Sequence, residues 1–166
     1  MLPRLWRVSR AVSFVALALA LLVLVPPAEA TQTKAESSMT IRLISRVVSS
    51  RVVDTPPKNV PNKGDVVYLR DALSNQVAQF GKAKGALVGH DNYVGTILSA
   101  TRAKVRVQVT LPGGTLTVAG PIANSATNSG IVPVVGGTGR FAHARGTCSV
   151  RDRGSYSINV YRLRLP

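Results

Sequence analysis

His143 is the residue of this chain best suited to proton transfer, and Arg145, two residues later, is suited to stabilising an anion. Successive side chains of a β-strand point to opposite faces, so two residues separated by one share a face if the segment is a strand. An imidazole titrates near neutral pH, and a guanidinium stabilises a neighbouring anion. If this face is internal, both residues are catalytic candidates. If it is external, His143 is an ordinary exposed histidine, and Arg145 pairs with a carboxylate to hold the fold closed.

A loop rich in proline separates two further candidates, Asp54 and Asp65. Three prolines between them lack the backbone N–H that a central strand needs, so this segment is predicted to be a loop. Asp65 is a catalytic candidate and Asp54 a ligand-binding one, but aspartate also caps turns, and either residue can have that role alone. Tyr68, on the next strand, either offers its phenol to the interior as a catalytic candidate or packs with its hydroxyl at the rim.

Two other aromatic residues, Tyr93 and Phe141, are candidates for contact with an apolar ligand. Cys148 is the only cysteine, so no intramolecular disulfide can form, and it is either a small core residue or a reactive thiol. The two histidines, His90 and His143, lie far apart, and we therefore predict no metal site. The sequence contains no Gly-x-Ser-x-Gly elbow, phosphate-binding loop or dinucleotide fingerprint, which argues against the corresponding enzyme classes.

The N-terminus has the three parts of a secretory signal peptide. Three arginines precede an apolar run over residues 11–25, and the segment ends Ala28-Glu29-Ala30. The apolar run is shorter than the roughly 20 residues that span a bilayer, although an uncleaved membrane anchor is the alternative. We therefore predict a secreted, extracellular protein cleaved after Ala30. Residues 31–38 are predicted to be a disordered leader, and residues 39–166 a single domain.

The chain is strongly basic, with a formal net charge of +14. Loss of three arginines and one glutamate with the signal peptide leaves +12. Such a charge favours attraction to anionic polymers, lipid head groups or nucleic acid. The basic residues are scattered through predicted strands, and aromatic residues that would stack on bases are few, so we predict no specific nucleic-acid partner. An anionic cell-surface polymer stays a candidate partner, and solubility on export is the alternative explanation.

Hydrophobic periodicity predicts an all-β domain. In the clearest strand, Val105, Val107 and Val109 alternate with basic and polar residues, which places the valines on one face. In the first strand the alternation slips near Ile44, which indicates a bulge or two short strands. About eight such strands with short connections suit either a closed antiparallel barrel or a sandwich, and periodicity alone does not choose between them.

The string Gly136-Gly137-Thr138-Gly139-Arg140-Phe141, followed by Ala144-Arg145-Gly146, resembles the signature of the allene oxide cyclase barrel superfamily, which includes plant dirigent proteins. Residues 64–68, residues 112–120 and the closing Tyr161-Arg162-Leu163 agree with it in order and spacing. The resemblance covers residues 40–166 and implies an eight-stranded antiparallel β-barrel of the calycin type, with room for one small ligand.

Relatives with this barrel act mainly by shape. Cyclases of the superfamily fold a reactive substrate so that one stereoisomer forms, and dirigent proteins bias the coupling of phenoxy radicals; neither activity implies a cofactor. Arg140 stands where pinoresinol-forming dirigent proteins tend to carry an acidic residue, so the resemblance does not name the reaction. The many arginines and the compact signal sequence are typical of a bacterial member of the superfamily.

Three functions follow from the resemblance and the charge. The first is a barrel that binds an apolar or phenolic small molecule in its lumen and directs its cyclisation or stereoselective coupling, as a cofactor-free isomerase would. The second is a non-catalytic carrier of a hydrophobic compound. The third is a cell-surface adhesion protein that acts through its charge. A homo-oligomer, dimer or trimer, is also implied by the resemblance.

Overall fold

The computed structural model describes residues 36–123 and 129–166 of the 166-residue chain, and eight strands make up most of them. In chain order these are β1 (Ser37–Val53), β2 (Val66–Asn75), β3 (Leu87–Ser99), β4 (Arg102–Leu111), β5 (Gly114–Ala123), β6 (Gly130–Gly137), β7 (Arg145–Asp152) and β8 (Ser157–Leu165). A single 3-10 turn, Gly139–Phe141, lies between β6 and β7. No helix of these two ranges has the length and apolar character needed to cross a membrane.

The strands close into an antiparallel barrel. Each strand pairs with the next along the chain, and β8 pairs with β1. The predicted eight-stranded barrel is therefore confirmed, and the sandwich is excluded. Strand β4 shows why the chain folds this way, since Val105 and Val109 are buried while Lys104 and Arg106, on either side of Val105, are exposed.

Strand β1 begins earlier than predicted and is not divided into two strands. The predicted leader was to end at Ser38, but Ser37 and Ser38 pair with Leu165 and Arg164 of β8. The β1 segment is one strand of 17 residues, and its register with β2 shifts between Val47 and Ser49. The predicted bulge is present, four residues later than the slip in hydrophobic pattern. The predicted signal peptide and residues 31–35 lie outside the described residues.

The barrel has a packed end and a hollow end. At the packed end, large apolar side chains fill the interior: Ile41, Leu43, Leu73, Val109, Leu111, Leu116, Val134, Phe141 and Leu163 are each at most 5% exposed. Toward the other end, the inward positions of the same strands line a cavity. Strand β1 illustrates the division, because Leu43 belongs to the core whereas Ser45 and Val47 line the cavity.

The glycine-rich signature closes the packed end. Gly139 has a φ of 59°, and a Cβ there would lie 2.2 Å from the carbonyl oxygen of Gly113. This close approach lets the Arg140 N–H donate to that oxygen at 2.8 Å. Phe141, fully buried, follows directly and plugs the end of the core. The signature therefore serves the fold, and it lies away from the cavity.

Candidate functional site

The cavity at the hollow end is the candidate site. It has a volume of about 630 Å³, within the range of small-molecule pockets. Most of its wall is aliphatic and comes from Val67, Leu69, Val105, Val107, Val118, Ile122, Val132 and Val150. Such a wall favours an apolar ligand, because burial of apolar surface supplies most of the binding free energy.

Two aspartates lie side by side where the cavity meets the packed core. Asp71 of β2 and Asp91 of β3 are directly opposite each other in the antiparallel register, so their side chains point to the same face. The hydroxyl of Ser45 donates to Asp71 Oδ2 at 2.5 Å. The Oδ1 atoms of Asp71 and Asp91 are buried and have no hydrogen-bond partner within the described residues.

Burial keeps one of these carboxyl groups protonated near neutral pH. Asp91 is 3% exposed, and loss of hydration, with a smaller contribution from the charge of Asp71, raises its pKa to about 8. A carboxylic acid with such a pKa donates a proton readily at pH 7, which is the property that general acid catalysis requires. The pair can therefore supply one neutral acid and one acceptor to a ligand in the cavity.

The neighbouring wall is formed by Cys148, Asn159 and Tyr161, and none of the three supplies a charge. Burial raises the pKa of the Cys148 thiol to about 12, although its hydrogen bond with Tyr161 opposes the shift. Burial also raises the pKa of Tyr161 well above its usual value. A thiol with so high a pKa is a poor nucleophile, so of the two interpretations of Cys148 the small buried residue agrees with the structure.

Tyr93 is the one predicted ligand-contact residue that lines the cavity. A Cβ added to Gly95 would lie 2.5 Å from the Tyr93 hydroxyl, so the phenol occupies the space that the glycine leaves free. Burial raises the pKa of Tyr93, and the hydroxyl is therefore neutral at physiological pH. Phe141, the other predicted contact, belongs to the packed core and is not in the cavity wall.

His143 and Arg145 do not have the predicted arrangement. Strand β7 begins at Arg145, and His143 precedes it in a turn with a φ of 61°, so the two residues do not share a strand. Both side chains are exposed at the packed end, and neither lines the cavity. Arg145 Nη1 donates to the Ala144 carbonyl at 2.9 Å instead of pairing with Asp54 or Asp65, which lie at the other end of the barrel.

Asp65 holds the proline-rich loop in place at the hollow end. Its carboxylate accepts hydrogen bonds from the Thr55 N–H and hydroxyl at 2.8 and 2.7 Å, and from the Asn62 N–H at 2.9 Å. The backbone donors of Asn62 and Thr55 lower the pKa of Asp65, so the group is ionised at neutral pH. The loop brings Pro61 to the cavity mouth, whereas Asp65 itself is not in the wall.

Asp54 and Tyr68 also lie outside the cavity wall. Asp54 Oδ2 accepts the N–H of Asn59 at 2.8 Å, which is the turn-capping alternative weighed for this residue. Tyr68 is on the outer face of β2, where the guanidinium of Arg51 lies 4.9 Å from its ring centroid. Of the two alternatives for Tyr68, the inward phenol does not agree with the structure, and the ring packs outside the barrel.

Asp71 and Asp91 are not among the candidates found from the sequence, although β2 carries a signal for Asp71. Val67, Leu69, Asp71 and Leu73 alternate along one strand, so the aspartate occupies an inward position of an otherwise apolar face. A carboxylate in that phase marks a buried charged group. Residues 36–123 and 129–166 show no cluster of three or more His, Cys, Asp or Glu side chains that would suit a metal ion.

Three solved structures share the fold of this chain and have low sequence identity to it. A pyocyanin demethylase has a TM-score of 0.63 and 18% identity, over 75% of this chain and 99% of its own. A pterocarpan synthase dirigent protein has a TM-score of 0.60 and 20% identity, over 80% of this chain and 86% of its own. An exo-specific intermolecular Diels-Alderase has a TM-score of 0.64 and 12% identity, over 80% of this chain and 100% of its own.

Sequence comparison assigns the family. No curated protein matches the chain at a significant level. A family model described as dirigent-like protein matches residues 42–163, which include β2 to β7, most of β1 and β8, and the glycine-rich signature. The chain has the same barrel fold as these structures, and it belongs to the dirigent-like protein family.

Proposed function

We propose that the barrel binds an apolar small molecule in its lumen and directs the cyclisation or coupling of that molecule, with Asp91 as proton donor. The observation that carries the proposal is a cavity of about 630 Å³ with aliphatic walls and a protonated carboxyl group at its inner end. Structures of the same fold include a pterocarpan synthase dirigent protein and a Diels-Alderase, which supports a reaction that closes a ring or joins two molecules.

The proposed reaction requires that the lumen hold the reacting atoms of the ligand close together and that Asp91 supply a proton. The walls hold a flexible ligand with its reacting atoms close together, which removes much of the entropic cost of ring closure. Asp91 donates its proton to an oxygen of the ligand and thereby draws electrons away from the carbon that is attacked. When the new bond forms, the attacking group releases a proton, which returns to Asp91. The acid is regenerated, and Ser45 holds Asp71 in place throughout.

The first experiment asks whether the lumen binds a ligand. N-phenyl-1-naphthylamine, a neutral apolar probe whose fluorescence rises in apolar surroundings, is titrated into the protein. Val105→Phe fills the lumen, and Arg106→Phe places the same ring on the outer face of the same strand. We expect Val105→Phe to abolish the fluorescence change and Arg106→Phe to preserve it. Equal binding by both variants would refute the lumen as the site.

Native mass spectrometry then identifies the natural ligand and separates catalyst from carrier. Protein purified from its own culture medium is expected to carry an apolar compound whose mass adds to that of the empty chain. With that compound or its precursor in hand, Asp91→Asn tests the proton donor. A catalyst loses turnover and keeps affinity, whereas a non-catalytic carrier shows no turnover in either form. The same spectra report whether the protein is a dimer or trimer.

A second function, adhesion to an anionic cell-surface polymer, is favoured by the outer wall of the barrel. The three carboxylates carried by the described strands, those of Asp71, Asp91 and Asp152, all line the lumen. The outer faces of β7, β8 and residues 37–47 of β1, before its register shift, together present six arginines and no acidic residue: Arg42, Arg46, Arg145, Arg151, Arg162 and Arg164. Arg145 and Arg164 are directly opposite each other, a pairing that is unfavourable without an anion between them.

Retention on immobilised heparin tests this function. We expect the unmodified protein to elute at a much higher salt concentration than a variant that carries Arg162→Ser and Arg164→Ser. The matched control carries Lys104→Ser and Arg106→Ser, which removes the same charge from β4. If both variants elute together, net charge alone explains retention, and the six-arginine face is not a binding surface.

A further inference from the structure

The charges that line the lumen have one sign. Asp71, Asp91 and Asp152 contribute carboxyl groups to the wall, and no lysine, arginine or histidine of the described residues does so. This composition is opposite to that of the whole chain, whose formal net charge is +14. An anionic ligand would therefore meet only carboxyl groups after entering, while a cation would meet no competing positive charge inside.

Two buried carboxyl oxygens at the inner end of the lumen have no hydrogen-bond partner within the described residues. Asp91 is 3% exposed, and its Oδ1 atom has no partner in the part of the chain that the structure describes. Asp71 Oδ1 is likewise buried and unpartnered, because the Ser45 hydroxyl donates to Oδ2. A buried polar atom without a partner destabilises the folded state, so such atoms in a ligand cavity indicate that the ligand supplies the hydrogen bonds.

Tyrosine side chains complete this environment. Tyr93, Tyr156 and Tyr161 are all part of the cavity wall. The face of an aromatic ring attracts cations, and the attraction strengthens where water is excluded. Carboxyl groups, unpartnered acceptors and aromatic rings are the three features that recognise a protonated nitrogen.

We propose that the ligand of this lumen is an apolar amine, bound as its ammonium form with N–H groups that donate to Asp71 Oδ1 and Asp91 Oδ1. The inference rests on the proposed function for the lumen as the ligand site and names the ligand class of that cavity. It changes the role of Asp91, because an ammonium ligand keeps this carboxyl group ionised, so that Asp91 accepts a proton from the bound ligand instead of donating one. The aliphatic walls bind the hydrocarbon body of the amine, and the aspartate pair binds its nitrogen. A neutral alcohol of the same shape fills the cavity but brings one donor and no charge.

The pH dependence of binding has a definite sign. The groups that face Asp91 are Asp71 on β2 and, elsewhere in the lumen wall, Tyr93, Cys148, Tyr161 and Asp152, while its β4 neighbour Val109 is uncharged. An ammonium ion stabilises the ionised form of Asp91 and lowers its pKa in the complex. Because the free protein holds that proton up to a pKa of about 8, amine binding releases a proton, and affinity rises as pH increases from 6 to 8.

Three naphthalenes of nearly the same size test the inference by calorimetry: 1-naphthalenemethylamine, 1-naphthalenemethanol and 1-naphthoic acid. At pH 7.5 we expect the amine to bind at least tenfold more tightly than the alcohol, and the acid not to bind. Asp91→Asn and Asp71→Asn are expected to reduce the preference for the amine over the alcohol to threefold or less. Asp54→Asn, which alters a carboxylate outside the cavity wall, is the matched control and should keep the full preference.

Each outcome has one meaning. If the amine and the alcohol bind equally and Val105→Phe abolishes both, the lumen is a ligand site, but the inference is wrong. If the amine is preferred and neither aspartate variant changes that preference, the nitrogen is bound elsewhere, and the inference is equally wrong. If none of the naphthalenes binds, and Val105→Phe does not alter binding of the fluorescent probe N-phenyl-1-naphthylamine, the proposed function itself fails. A rise in amine affinity between pH 6 and 8 in the unmodified protein supports the inference without any variant.

Discussion

Replacement of Asp91 by Asn tests the electrostatics of the lumen through protein stability. In the unfolded chain the carboxyl group has the ordinary aspartate pKa of 3.8, and in the folded barrel its pKa is about 8. A folded-state pKa raised above the unfolded value means that folding takes up a proton between these limits. The folded state therefore loses stability as pH rises from about 4 to about 8, and the loss is complete above the folded pKa.

The magnitude follows from the size of the shift. One pKa unit corresponds to about 1.4 kcal/mol, so Asp91 costs the folded state about 2 kcal/mol at pH 5 and about 5 kcal/mol at pH 8. Asparagine has nearly the same shape and does not ionise. We therefore expect Asp91→Asn to have a higher free energy of unfolding than the unmodified protein. This gain should be about 3 to 4 kcal/mol larger at pH 8 than at pH 5.

Urea unfolding followed by circular dichroism at pH 5, 6, 7 and 8 measures this difference directly. Asp54→Asn is the control for a general effect of removing one carboxylate, since Asp54 lies in the loop after β1. Removal of the like charge in Asp71→Asn should lower the pKa of Asp91 and weaken its pH dependence. If Asp91→Asn changed stability equally at all four pH values, the carboxyl group would not be desolvated as described, and the proposed acid would lose its basis.

Three further predictions concern other parts of the chain. Gly139→Ala should lower the free energy of unfolding by about 1–3 kcal/mol, measured by urea unfolding, because a Cβ there meets the Gly113 carbonyl oxygen at 2.2 Å and φ is 59°. Gly136→Ala is the control and should leave the free energy of unfolding nearly unchanged, because the nearest atom to its Cβ is 3.8 Å away. The Cys148 thiol should react with Ellman's reagent only after unfolding, and rapid reaction of the native protein would contradict its burial. N-terminal sequencing of protein from the culture medium should begin at Thr31, and retention of residues 1–30 would refute cleavage there.

The prediction of the barrel succeeded where local pattern and tertiary structure agree. In β4 the alternation of Val105 with Lys104 predicts the buried and exposed faces that the structure shows. The glycine-rich signature marks a turn that few other sequences can form, since Gly139 approaches a backbone oxygen more closely than any side chain allows. Closure of β8 onto β1 was implied by the family resemblance and not by periodicity.

The strand face considered for His143 and Arg145 does not form, for a different physical reason. The backbone of His143 has a positive φ, and a turn does not follow the two-residue period of a strand. Tyr68 follows the period of β2 but is in the phase opposite to Val67 and Leu69, which line the cavity.

The sequence by itself determined the strands, the close-packed glycine turn and the basic character of the chain, because each depends on residues near one another in the chain or on composition alone. Only the tertiary structure decided the chemistry. Asp71 and Asp91 become neighbours through the register of β2 with β3, and the pKa of Asp91 rises because the closed barrel removes water from its carboxyl group. The alternation along β2 marks the inward position of Asp71, but the paired carboxyl groups and the water-free space around them exist only after the eight strands have closed into the barrel.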